Sequence, residues 1–97
     1  MLLSEPIEFI WDHGNIDKNH IKHGISNEET EEAFFDERKK IAKDIMHSGT
    51  EKRYILLGKT KKQKVLFIVF TVRNKKIRVI STRSINKKEI HLYEKKT

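Results

Sequence analysis

Arginine, lysine and histidine are the side chains that grip phosphate and move protons near neutral pH, and in this chain they fall into four short polar segments. The first opens with Phe9-Ile10-Trp11-Asp12 and closes at Lys22-His23-Gly24-Ile25-Ser26; the second is His47-Ser48 followed by Glu51 and Arg53. Thr71 and Arg73 end an apolar run, and Arg78, Ser81 and Arg83 lie on the next. The chemistry within reach of such a set is cleavage of a phosphodiester that carries its own nucleophile, the 2′-hydroxyl of RNA. That reaction needs a proton removed, charge on the phosphoryl oxygens stabilised, and the departing 5′-oxygen protonated.

Histidine suits either proton step because its ordinary pKa lies near 6.5. His23, followed by Gly24 at a predicted helix end, is the first candidate; its plain alternative is a cation placed favourably at a helix C-terminus. Arginine suits the phosphoryl oxygens because its planar fork matches them and keeps its charge. Arg53, Arg73 and Arg83 are the candidates, each at the end of a predicted strand, where antiparallel pairing can bring them together. Their plain alternative is ion pairing with Glu51 or Asp44, worth little at a surface. Lys22, Arg78, His47 and Tyr93 complete the candidate set as RNA contacts, with packing on the last helix the alternative for Tyr93. His20 and His23 have helical ligand spacing without a third ligand at a suitable distance, so no metal site and no cofactor is expected.

The elements that must position these residues follow from pattern. Residues 7 to 11 read as a short strand with Phe9 and Trp11 in the core, and Asp12 as the cap of a helix reaching about His23, with Gly24 left-handed after it. Ser26 and Glu29 form a capping box for a second helix that buries Ala33 and Phe34 and turns Glu28, Glu31, Glu32 and Asp36 to water. Lys40 to Met46 and Arg53 to Gly58 read as strands. Val65 to Val72 is apolar at both parities, which predicts a central strand covered on both faces. A turn at residues 73 to 76 leads to a strand from Ile77 to Arg83, and Asn86 caps a last helix to about Lys95. The expected fold is α+β, a small antiparallel sheet with helices packed on it, in the order β-α-α-β-β-β-β-α.

Ninety-seven residues, 36% of them apolar, suffice for a single domain spanning 1–97. The chain has no cysteine and no apolar stretch of membrane-spanning length, and its first residues are too short and too acidic for a signal peptide; a cytoplasmic protein is expected. The net charge of +7 is unevenly placed: residues 1–36 carry two cations and nine anions, net −7, and residues 37–97 carry nineteen cations and five anions, net +14. Such a split favours polyanions at one region.

The ordered set of Trp11-Asp12, Lys22-His23-Gly24, His47-Ser48 with Glu51 and Arg53, Arg73, and Arg78 with Ser81 and Arg83 resembles the BrnT family of type II toxin–antitoxin toxins, from Phe9 to Tyr93. The resemblance implies a RelE-like fold and a ribonuclease toxin that cleaves RNA without metal and inhibits translation. It also implies neutralisation by a cognate BrnA-like antitoxin whose ribbon-helix-helix part supplies any DNA binding. Two positions depart from the family pattern: Asn15 stands where a lysine is usual, with Lys18 one helical turn later, and Thr82 stands where alanine is expected. If the lysine takes part in chemistry, Lys18 must replace it. A non-catalytic nucleic-acid-binding module or co-regulator also fits the charge split, and the departure at Asn15 keeps open a third class, an interaction partner that has lost activity.

Overall fold

The computed structural model describes residues 3, 6–46 and 49–95. Its elements are β1 (Phe9–Ile10), α1 (Lys18–His23), α2 (Asn27–Phe34), β2 (Lys40–Lys43), β3 (Tyr54–Lys59), β4 (Val65–Arg73), β5 (Lys76–Ser84) and α3 (Ile90–Glu94), in the expected sequence. They form one five-stranded sheet ordered β1-β5-β4-β3-β2. The sheet is mixed, which corrects the antiparallel expectation. β2 to β5 form an antiparallel meander, but β1 lies parallel to β5, with Phe9 opposite Ile77 and Ile10 opposite Arg78. No hairpin turn governs the direction of a two-residue strand. β1 is set instead by the α1–α2 excursion, which separates it from the meander and leaves it on the far edge.

The core lies on one face of the sheet. Leu56, Leu66, Ile68, Phe70, Ile77 and Val79 point toward α2, which contributes Ala33 and Phe34. Edge-to-face contacts link Phe9 to Phe34 (5.1 Å) and Phe34 to Phe70 (5.2 Å), and Tyr54 stacks on Phe70. The capping box forms as the sequence requires: Ser26 Oγ accepts from the Glu29 N–H and Glu29 Oε1 from the Ser26 N–H, both at 3.1 Å. The Ser26 N–H, joined by the Lys64 charge and the Ser26 hydroxyl, outweighs burial and holds the Glu29 carboxyl below its ordinary range.

Two helix starts differ from expectation for local reasons. Residues 12–17 are a turn, and α1 starts only at Lys18. The Asp12 carbonyl accepts from Asn15 and Ile16, its carboxylate from Gly14, and Asp17 is left-handed. The helix closes at Gly24 in the left-handed conformation (φ 71°), as expected. The last helix is regular only from Ile90, because residues 86–89 form a turn in which the Asn86 and Glu89 side chains accept each other's backbone N–H.

β4 is central, but only one of its faces is fully covered. Leu66, Ile68 and Phe70 are inaccessible beneath α2, whereas Val65, Phe67 and Val69 on the opposite face are half-buried. That second face keeps an apolar strip, Ala42, Ile55, Leu57 and Phe67, bordered by Leu92 of α3, around a hollow of ≈ 270 Å³. Among the described residues no helix is long and apolar enough to cross a membrane.

Candidate functional site

Arg78 and Arg83 are five positions apart, so an unbroken strand would turn them to opposite faces. The β4–β5 ladder avoids this with a bulge: Val69 pairs with Ser81 and Phe70 with Val79, leaving Ile80 as the extra residue. Such an insertion reverses the alternation beyond it. Arg78, opposite Thr71, and Arg83, opposite Phe67, therefore both point to the face away from α2, as does Arg73. Thr71 is buried and donates its hydroxyl to the Lys52 carbonyl (2.7 Å), tying the approach to β3 against β4 beside Arg78.

At this end of the face Arg53, Arg73 and Arg78 converge with Lys18, Glu51, Gly14 and Ile80 around a depression of ≈ 200 Å³. Three arginines and a lysine against one carboxylate make a strongly cationic concavity. Glu51 is held by Arg73 in a two-point pair, Nε to Oε2 at 2.5 Å and Nη2 to Oε1 at 3.0 Å. Hydrogen bonding from Arg73, then the charges of Arg73, Arg78 and Arg53, keep the Glu51 carboxyl below its ordinary range despite slight burial, and the Arg73 guanidinium is raised in turn. Arg78 donates Nη2 to Asp12 Oδ1 (3.0 Å), and its Nε is buried with no partner among the described residues. Gly14 makes room for that guanidinium, since a Cβ there would lie 2.6 Å from Arg78 Nη2.

The turn and α1 stand against the free part of the β5 edge, and asparagines make the junction. Asn15 is buried; its amide donates to the carbonyls of Ile10 (2.8 Å) and Val79 (3.1 Å), and its oxygen accepts from the Asp12 N–H (2.8 Å). One helical turn on, Asn19 Oδ1 accepts from the Thr82 N–H (2.9 Å), and Thr82 Oγ1 also meets the Thr30 hydroxyl (3.3 Å). The two positions that depart from the family pattern thus join the sheet edge to the helices. Lys18, whose Nζ donates to the Ile80 carbonyl (3.3 Å), is the lysine this junction presents to the depression.

Other candidates are placed elsewhere. Arg83 does not join the other arginines. It forms a two-point pair with Glu89 (2.8 and 2.7 Å) and lies over the Phe67 ring, 4.0 Å from its centre. Phe67 is six positions before Arg73 on β4, about 20 Å away along the strand. His23 and Lys22 are exposed at the C-terminal end of α1 and do not line the depression. Because α1 begins at Lys18, its first residue reaches the arginines and its last does not. Tyr93, expected as an RNA contact, is buried and donates its hydroxyl to Asp36 Oδ2 (2.6 Å). Burial and then that bond push its pKa up to about 12. His47 lies outside the described residues. Sequence reasoning passed over Gly14 and the turn placement of Asp12; the Gly14–Arg78 contact depends on a strand pairing that no local pattern records. Among the described residues no three His, Asp or Glu side chains gather as a metal would need.

Larger openings exist around Tyr93 and Lys59 (≈ 680 Å³) and beside the acidic helix α2 (≈ 700 Å³). The first mixes Arg38 and three lysines with Glu37 and Glu94, and the second is lined by four carboxylates. Neither orients several guanidinium groups from neighbouring strands as the depression does.

A small α+β domain that aims three arginines, two of them on neighbouring strands, into one surface depression has the make-up of a protein that handles phosphodiesters. The chain belongs to the BrnT family, ribonuclease toxins of type II toxin–antitoxin systems, whose family model matches residues 11–89. That span takes in the depression, the asparagine junction and the Arg83–Glu89 pair. Membership implies RNA as substrate and an antitoxin as partner. No curated protein matches the chain.

Proposed function

We propose that the protein cleaves RNA without a metal, by attack of the 2′-hydroxyl on the adjacent phosphorus, and that it thereby inhibits translation in the cytoplasm. The observation that carries this reading is the convergence of Arg53, Arg73, Arg78 and Lys18 on one depression. In the attack the phosphoryl oxygens gain charge, and guanidinium groups fixed by a sheet stabilise that charge without reorganising. Arg73 and Arg78 meet the phosphate in place of Glu51 and Asp12, the carboxylates they now hold. The helix pair ahead of a four-strand meander supports reading the fold as RelE-like.

The antitoxin, BrnA-like and with a ribbon-helix-helix part that carries DNA binding, covers the same sheet face. The apolar strip Ala42, Ile55, Leu57 and Phe67 runs beside the arginines and is bordered by Lys40 and Lys95. A segment with apolar side chains flanked by carboxylates complements both features. The acidic helix α2, with Glu28, Glu31 and Glu32, repels such a segment and stays uncovered.

The test is cleavage of an oligoribonucleotide by the pure protein in EDTA. Products with 2′,3′-cyclic phosphate and 5′-hydroxyl ends, and no cleavage where the ribose is 2′-deoxy, are expected. A strict requirement for magnesium, or cleavage of the deoxy substrate, refutes the mechanism. Tight binding without cleavage would favour a nucleic-acid-binding module instead.

A further inference from the structure

We propose that Glu51 is the catalytic base, its carboxylate taking the proton of the attacking 2′-hydroxyl. This deepens the reading of the depression as a phosphodiester site and rests on it. Of the residues that line the depression, Gly14 and Ile80 have no ionisable group, and Lys18, Arg53, Arg73 and Arg78 are cations. Among the described residues, Glu51 is the lining group able to accept a proton near neutral pH. Its carboxylate is fixed at two points by Arg73 of β4. It also faces the charges of Arg53, ahead of β3, and Arg78, on β5, while Lys18 of α1 shares the rim. Asp12, the neighbouring carboxylate, is engaged by Arg78. A base must be ionised before it can act, and this cationic surround keeps Glu51 ionised at neutral pH.

The same surround makes the resting carboxylate a weak base, and substrate reverses that. A phosphate entering the depression competes for Arg73 and brings its own negative charge, so the carboxylate loses its strongest partner and gains a like charge. Both changes raise its proton affinity. Basicity thus rises on substrate binding, when the 2′-hydroxyl is in place. In the step itself the O2′–H bond breaks and its proton passes to Glu51, while O2′ forms its bond to phosphorus. The P–O5′ bond breaks with its electron pair retained on O5′, which takes a proton from water. Glu51 then returns its proton to solvent, to which its side chain is 38% exposed. No metal, oxidant or co-reactant enters the balance.

The test compares the full chain with Glu51→Gln in single-turnover cleavage of an oligoribonucleotide in EDTA. Binding is read separately on the same sequence with 2′-O-methyl riboses, which cannot be cleaved. Removing a general base lowers rates by about 10²–10⁴-fold, so a fall of at least about 100-fold is expected. Affinity for the 2′-O-methyl oligonucleotide should be unchanged or higher, because a negative charge has left the depression. Glu51→Gln cleaving within about threefold of the unsubstituted chain, or faster, would overturn the assignment and make Glu51 a counter-ion of Arg73. A loss of cleavage matched by an equal loss of binding would overturn it too. Should Glu51→Gln not fold, Glu51→Asp replaces it: the base is withdrawn by one methylene, cleavage should fall about tenfold with binding kept, and an unchanged rate refutes the role. Failure of the unsubstituted chain to cleave in EDTA removes the phosphodiester reading and Glu51 with it. Cleavage by that chain together with an undiminished Glu51→Gln variant removes Glu51 alone.

Discussion

Arg73 and Arg83 look equivalent in the sequence, and replacing each with lysine should separate them. Arg83 carries two structural contacts: the two-point pair with Glu89, which fastens the turn before α3, and the stack over Phe67. Its side chain is 38% exposed, so water screens the pair, and losing the fork is worth about 0.5 kcal/mol. A lysine head keeps part of the attraction to Phe67 and loses about another 0.5 kcal/mol. The sum, about 1 kcal/mol, corresponds to a fall of about 4–8 °C in Tm for a domain of this size. Arg73 is half-exposed and, among the described residues, pairs with Glu51 alone at the surface, so Arg73→Lys should leave Tm nearly unchanged. In cleavage the order inverts. Arg73→Lys keeps the charge but loses the fork aimed at the phosphoryl oxygens, and should lower the rate about 10–100-fold, near the low end of what one lost transition-state donor costs. Arg83→Lys should cleave within about threefold of the unsubstituted chain at a temperature where both are folded. Thermal melts and single-turnover cleavage at 25 °C give both quantities. If Arg83→Lys loses cleavage as severely as Arg73→Lys while keeping its Tm, the reacting phosphate lies at the Phe67 end of the face and the depression is the wrong place.

The Glu89 carboxyl, held below its ordinary range first by Arg83, gives that comparison a pH dependence. Its contribution is present above the unfolded carboxyl pKa, about 4.3, and is lost as pH falls through the lower folded value, so melts of Arg83→Lys and the unsubstituted chain should converge in acid. Tyr93→Phe removes the hydroxyl that Asp36 accepts; Asp36 keeps the Lys59 and Arg38 N–H groups, so a loss of about 1–2 kcal/mol in denaturant melts with cleavage retained is expected. Burial works against ionised Asp36, but Tyr93 and the backbone donors outweigh it and its pKa is lowered, so this difference too should shrink only in acid. Asn15→Ala strands the Ile10 and Val79 carbonyls and the Asp12 N–H and should cost about 2–3 kcal/mol in the same melts. His23→Ala, exposed at the far end of α1, should change cleavage less than about threefold, and a loss comparable to that of Arg73→Lys would return His23 to the site.

Local signals in the chain announced the elements well, and they said less about which elements meet. The capping box at Ser26 and Glu29, the left-handed Gly24 and the apolar run of β4 depend on neighbours within a few residues, and each formed where the residues required. The parallel placement of β1, the half-open second face of β4 and the junction of Asn15 and Asn19 with β5 depend on pairings across more than sixty residues, and nothing local encodes those. The candidate site shows the same division. Arg53 and Arg73, both singled out as arginines at strand ends, meet in the depression. Strand parity, however, sets Arg83 with Val79 and Ile77 and leaves Arg78 on the other face. The bulge at Ile80 undoes one of these: Arg78 stays on the arginine face beside Gly14, and Arg83 comes round to that same face over Phe67. One unpaired residue in β5 therefore decides that Arg83 shares a face with Arg73 and Arg78. Deleting Ile80 would leave Arg78 opposite Thr71 and Arg83 opposite Phe67, four positions apart and still on one face. Arg73 and Arg78 meet because both lie on the turn side of the bulge, where the Arg73–Lys76 and Thr71–Arg78 pairings set them on one face; that pairing is the feature on which this arrangement of charge depends.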